Sequence, residues 1–264
     1  PNHGFNGNAM LRFRSSTNVE DSADFVGAGL YDSYSGCLAD ELDTDNQGPC
    51  ACDPNRTAER GVFRAIRRVF ASFYNDNAFL ERLRHRVNEA EVGMAVLVHH
   101  SFPDEIELAN GVATVERFDD TWNEGRTVLT LVSQQGAISV TNPQDASVPE
   151  EVIIEVSPSG YVSLPRSWVN SSRIPLGANV MAWPDDYTAL ADLLVRVSDQ
   201  FMQVTGKTGY ILDLEYKKVA SGGEVLPAGG LVVKQVRQVP TPDEVPSKTP
   251  YLLNVPLELE VFPG

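Results

Sequence analysis

The run Tyr210-Ile-Leu-Asp-Leu-Glu-Tyr216 restricts the fold more than any other stretch of the chain. Its residues alternate with the two-residue period of a strand. Tyr210, Leu212, Leu214 and Tyr216 share one face and need a core. Ile211, Asp213 and Glu215 share the other. A second strand-like run, Leu231–Val239, follows a polar connection holding Gly222, Gly223, Gly229 and Gly230. The two read as a hairpin with a long loop. In the second run Val233, Gln235, Arg237 and Val239 are expected on one face. Pairing then brings Asp213, Glu215, Gln235 and Arg237 onto one patch. Carboxylates at i and i+2 of a strand lie about 7 Å apart, and both can approach a divalent cation. Magnesium takes hard oxygen ligands of this kind together with phosphates, and arginine adds a permanently charged fork. An exposed strand face also carries Asp-x-Glu for solubility alone.

Elsewhere the pattern alternates between helix and strand. Thr57 can cap a helix with Glu59 in its first turn and Val62, Ile66, Val69, Phe70 and Phe73 as its apolar stripe. Arg60, Arg64, Arg67 and Arg68 fall mostly off that stripe and read as a solvated face. A second helix is expected over about 77–87, with Phe79, Leu80, Leu83 and Val87 inward. A long helix follows Asp185 or Asp186, with Leu190, Leu193, Leu194, Val197, Phe201 and Val204 as its stripe, and stops at Gly206. Leu11–Ser15, Met94–Val98, Val128–Val132 and Val152–Val156 read as strands. Trp122, Trp168 and Trp183 are expected to serve packing. Helices first, then mixed strands and helices, gives an α+β fold with a mostly antiparallel sheet. One domain is expected over residues 1–240, with the proline-rich 241–264 as a linker or the start of a further segment.

Charge narrows the partners. Lys and Arg number 21 against 36 Asp and Glu, a net of −15. Such a surface repels nucleic acid and anionic membranes. No apolar run is long enough to span a bilayer. An anion must therefore be met by a local arginine cluster or a metal. The acidic run Asp40–Asp45 lacks the ligand spacing of a calcium loop.

Cys37, Cys50 and Cys52 fall within 16 residues of one another. Cys50-Ala51-Cys52 is too tight for an ordinary zinc pair. The reading is a bridge from Cys37 to either Cys50 or Cys52, with the odd thiol needing a partner outside the chain. That favours an exported, periplasmic or extracellular protein. Three reduced loop cysteines in a cytoplasmic protein are the alternative.

A hydroxyl- and glycine-rich segment follows the first strand. Arg14-Ser-Ser-Thr-Asn-Val-Glu-Asp21 precedes Phe25-Val-Gly-Ala-Gly-Leu-Tyr-Asp-Ser33. An arginine, hydroxyls and backbone amides near glycines suit a polyphosphate. These residues resemble the signature V-R-S-S-A-T-x-E-D and F-A-G-Q-x-D-T/S of the PEP/pyruvate-binding domain. That domain is the ATP-grasp nucleotide domain of phosphoenolpyruvate synthase, pyruvate phosphate dikinase, glucan water dikinase and rifampicin phosphotransferase. Ala65–Tyr74 resembles the helix ending V-W/F-A-S-L/W, and Met94–Val98 resembles the strand before the interlobe hinge. Asp213-Leu-Glu-Tyr216 with Lys234–Pro240 resembles D-I-E-W and L-Q-x-R-P.

The resemblance implies a partial ATP-grasp-like fold that binds ATP and Mg2+. It assigns nucleotide contacts to Arg14, Gly29, Ser33, His99, Glu215, Gln235 and Arg237, and metal contacts to Asp213, Glu215 and Gln235. It also implies a phosphotransferase that passes a phosphoryl group to a histidine on a separate carrier domain, in the same or another chain. The chain departs from the pattern in several places. It begins after the family's G-G-K segment, so the N-terminal lobe is expected to be missing. The hinge glutamine is His99; paired histidines such as His99 and His100 after a buried strand more often end a strand than serve a ligand. The G-V-x-F-T-x-D/N-P stretch is replaced by Gly111–Glu116. The L-G-E region is not recognisable around Gln134–Ile138, and the Glu215–Gln235 connection is longer. The cysteine loop is foreign to the family, and no T-x-G-G-x-x-S/C-H motif occurs. A catalytically inactive, exported ATP-grasp-like module with a structural or binding role is therefore the alternative.

Overall fold

The structure, a computed structural model, describes residues 5–19, 21–22, 25–26, 29–45, 47–119, 126–138, 140, 148–160, 162–163, 181–223 and 225–239. Trp122, Trp168 and the expected linker at 241–264 lie outside the described residues.

In chain order the elements are β1 (Leu11–Thr17), β2 (Asp21–Ser22), β3 (Phe25–Val26), β4 (Tyr34–Gly36), α1 (Leu38–Leu42), α2 (Val62–Ser72), α3 (Asp76–Arg84) and β5 (Met94–His100). Then come β6 (Glu107–Arg117), β7 (Thr127–Gln135), β8 (Glu150–Val156), β9 (Val162–Ser163), α4 (Asp185–Thr205), β10 (Tyr210–Val219) and β11 (Gly230–Val239). Two antiparallel sheets and a small β2–β3 pair result, and the α+β class holds.

The first sheet runs β4-β1-β5. Leu11 and Phe13 of β1 pack on Ala65 and Val69 of α2. Alternation sends Arg12 and Arg14 to the other face. The helix α2 begins at Val62, not near Thr57, and Gly61 caps it without a side-chain bond. Asp40 explains the delay. Its buried carboxylate accepts from the amides of Ala51 and Arg60, both at 2.7 Å, and holds 57–60 out of a helical path. Glu41 then takes the Phe63 amide at 3.0 Å. The expected apolar face of α3 is not buried: Phe79, Leu80 and Leu83 are exposed, while Ala78 and Arg82 point inward. Arg82 is fully buried, donating to Glu89, the Tyr31 hydroxyl and the Phe73 carbonyl.

The second sheet runs β11-β10-β6-β7-β8-β9. One face meets α4, whose Tyr187, Leu190, Ala191 and Leu194 pack on the inward residues of β6, β7, β8 and β10. That core holds Leu212, Leu214, Leu129, Leu131 and Ile154, all essentially inaccessible to solvent. Burying each such side chain is worth about 1.5–3 kcal/mol. The helix ends at Gly206 as expected but starts behind Pro184; the Asp186 carboxylate accepts from the Ala182 amide and pairs with Lys218. Trp183 is 42% exposed and tilts against Tyr187, so it does not fill the core. Strand β6 was not expected. Its Asn, Gly and Ala have low strand propensity, yet its alternate residues are buried.

The cysteine loop carries the expected bridge from Cys37, but its odd thiol differs from expectation. Cys37 bridges Cys52, and Cys50 is a free thiol that is 1% exposed. It needs no partner outside the chain. Burial, together with a hydrogen bond to Asp40, pushes its thiol up and keeps it protonated.

Candidate functional site

The uncovered face of β10 meets the arginine face of β1. Arg14 Nη1 lies 3.1 Å from Glu215 Oε2, and Nη2 lies 3.4 Å from Glu215 Oε1. The same Nη2 donates to Gln235 Oε1. Beside them Arg237 pairs with Asp213. The register accounts for both neighbours: Glu215 faces Gln235 and Asp213 faces Arg237 across the β10–β11 ladder.

These groups line a cavity of about 220 Å³ that also holds Gly29 and Ser33. Seven of the eight residues singled out by sequence thus share one cleft. The eighth, His99, stands in an adjoining cavity of about 430 Å³ that shares Arg14, Ser33 and Glu215. His99 Nδ1 lies 2.7 Å from the His100 carbonyl oxygen and 3.1 Å from Lys234 Nζ. Nε2 is buried and has no partner among the described residues. Burial lowers the His99 pKa, and Lys234, Arg14 and Arg12 lower it further. The ring is neutral near pH 7. Asp213, Glu215 and the Gln235 amide oxygen form a hard-oxygen donor set on one face, and that chemistry fits magnesium.

Sequence reasoning missed five cations that line the larger cavity, Arg12, Arg56, Arg60, Lys217 and Lys234. Arg12 and Lys217 each lie two residues from a residue that was singled out, Arg14 and Glu215, and strand periodicity alone could have found them. Lys234 could not be found that way. Glu215 pairs with Gln235 but Tyr216 pairs with Val233, so Lys234 is the extra residue of a β-bulge. The bulge corrects the expected face: Val233 turns to the α4 core, opposite Gln235. The Lys234 ammonium sits 4.8 Å from the Phe102 ring centre and 3.1 Å from His99 Nδ1. Burial, with Lys217 and Arg14 nearby, lowers its pKa to about 8. Lys217 donates to Glu107, whose carboxyl burial pushes up.

Two antiparallel sheets closing on a cleft of arginines, carboxylates and a glycine-hydroxyl segment define an ATP-grasp-like α+β module. The family follows from sequence comparison. The family model of the pyruvate phosphate dikinase AMP/ATP-binding domain matches residues 3–148, just over half of the chain, and the chain belongs to that family. The matched span contains Arg14, Gly29, Ser33 and His99; Asp213, Glu215, Gln235 and Arg237 lie beyond it. Comparison with curated proteins gave no match.

Proposed function

We propose that the cleft binds Mg-ATP and presents its terminal phosphoryl group to a histidine on a separate carrier domain. The observation that carries this reading is the meeting of Arg14 with Glu215 and Gln235, groups more than 200 residues apart in the chain. Such a meeting puts a phosphate-binding fork and oxygen donors on one ligand. Arg14 and Arg237 are satisfied by carboxylates; triphosphate oxygens would compete for both guanidinium groups and release Glu215 and Asp213. Asp213, Glu215 and Gln235 would hold magnesium, whose charge offsets that of the phosphates when it is bound. Ser33 adds a hydroxyl, and the backbone at Gly29, with φ 76°, presents an amide with no side chain in the way. His99 Nε2, buried and without a hydrogen-bond partner among the described residues, would hydrogen-bond the nucleotide.

Calorimetry on the longest native form tests this. Arg14→Ala and Glu215→Ala should each weaken Mg-ATP by tenfold or more, the worth of a charge-assisted hydrogen bond of about 1.5–3 kcal/mol. Unchanged affinity in both variants would end the reading.

The Cys37–Cys52 bridge supports a second reading, an exported module in which the cleft is inherited scaffolding. ATP is scarce outside cells. Mass spectrometry that found all three cysteines reduced in protein from its native source would count against it.

A further inference from the structure

We propose that Cys52 is a covalent modification site, which captures a low-molecular-weight disulfide of the glutathione class after the buried Cys50 thiol exchanges with the Cys37–Cys52 bridge. The three cysteines take no part in the nucleotide contacts. The observation that carries the proposal is the meeting of their sulfurs, which all lie within 4.8 Å of one another. Two of them form the bridge and the third is a free thiol.

Three backbone bonds fix this loop, and the bridge supplies none of them. The Cys37 amide donates to the Arg60 carbonyl at 2.6 Å, the Cys50 amide to the Arg56 carbonyl at 2.9 Å, and the Asp53 amide to the Cys50 carbonyl at 3.2 Å. Cys50 is two residues nearer to Cys37 than Cys52 is. Loop-closure entropy changes slowly with length, so it scarcely separates a Cys37–Cys50 pairing from the observed one. Exposure does separate them. Cys37 and Cys50 are buried, whereas Cys52 is half-buried. Cys52 is also the one cysteine of the three that lines the 430 Å³ cavity, where a small molecule can reach it. Its sulfur lies 3.7 Å from the Gly7 carbonyl oxygen, so a Cys52 thiol has an acceptor waiting.

The exchange balances within the protein. The thiolate is the attacking form. Cys50 is hydrogen-bonded to the buried Asp40 carboxylate, which takes the proton. Cys50 Sγ bonds to Cys37 Sγ, the Cys37–Cys52 bond breaks, and Cys52 leaves as a thiolate that picks the proton up. Cys52 is the better leaving group because a half-buried thiolate keeps more of its hydration than a buried one. One bridge has replaced another, and no oxidant has been used. The freed Cys52 then attacks the small disulfide RSSR, forms Cys52–S–S–R and releases RSH. RSSR is the oxidant of that second step. Burial keeps Cys50 protonated most of the time, so the exchange is slow, on the scale of minutes to hours.

The probe is oxidised glutathione, added to the native wild-type protein near pH 8 without reductant. Intact mass should show one glutathione gained over hours. Non-reducing peptide maps, with fragmentation at Ala51 to separate Cys50 from Cys52, should place it on Cys52 beside a Cys37–Cys50 bridge. An adduct on Cys50 overturns the proposal. So does an adduct spread over all three cysteines, as in a urea-unfolded control, or none on the folded protein. Cys50→Ala has no thiol to exchange and should gain no adduct. Cys52→Ser keeps the other two sulfurs and should oxidise under the same treatment to a Cys37–Cys50 bridge with no free thiol. Two free thiols in that folded variant would show that these sulfurs do not meet, and would overturn the exchange. Thermal melts of each variant confirm folding.

Discussion

Glu150 lies in the core with 4% of its surface exposed and accepts a hydrogen bond from the Tyr187 hydroxyl. Burial raises its pKa above 4.5, and the Tyr187 bond offsets this only in part. A raised carboxyl holds its proton in the folded state at pH values where the unfolded chain has lost it. Its contribution to stability is present below pH 4.5 and is lost as pH rises through the folded value. Glu150→Gln keeps an acceptor for Tyr187 and removes that loss. Urea unfolding should show the variant more stable than wild type at pH 7, with the gap closing toward pH 4.5; parallel curves would mean the carboxylate is not desolvated. Gly111 is bounded differently. A Cβ there would run into the Tyr216 ring, which crosses it to reach Ser133. Gly111→Ala should destabilise by about 1–3 kcal/mol, read as a lower urea midpoint at unchanged slope. Composition alone does not show this need, because the ring that imposes it lies 105 residues further along the chain.

Among elements, those whose signal is local were legible. The faces of β10 follow from alternation, and α4 ends where its stripe meets Gly206. What failed depended on distant partners. The start of α2 is set by Asp40 and Glu41, the inward face of α3 by the partners of Arg82, and the face of Val233 by a bulge opposite Glu215. The cleft residues were legible through motif wording, and Lys234 was not because a bulge leaves no periodic mark. The Cys37–Cys52 bridge closes a loop of 15 residues. Replacing both cysteines by serine should cost about 3 kcal/mol on chemical unfolding. In the native wild type Cys50 should resist alkylation and then label singly once the chain is unfolded without reductant. Rapid native labelling would contradict its burial.

For the whole molecule, the cleft is a joint between two sheets that otherwise bury separate clusters, Leu11 and Phe13 with α2 on one side, Leu212 and Leu214 with α4 on the other. A ligand that holds Arg14 and Glu215 together should stabilise both. Mg-ATP at a hundred times its Kd should add about 2.7 kcal/mol and raise Tm by roughly 5 to 10 °C, and Arg14→Ala at the same nucleotide concentration should cut the shift to about half or less. A transition in which only one sheet gains would show that the sheets unfold independently. The same joint sets an order of events in the cell. Arg14 leaves the ribosome some 200 residues ahead of Glu215, so during translation the first sheet is made without the groups that complete the cleft. The nascent chain can close this cleft only when the β10–β11 hairpin has emerged.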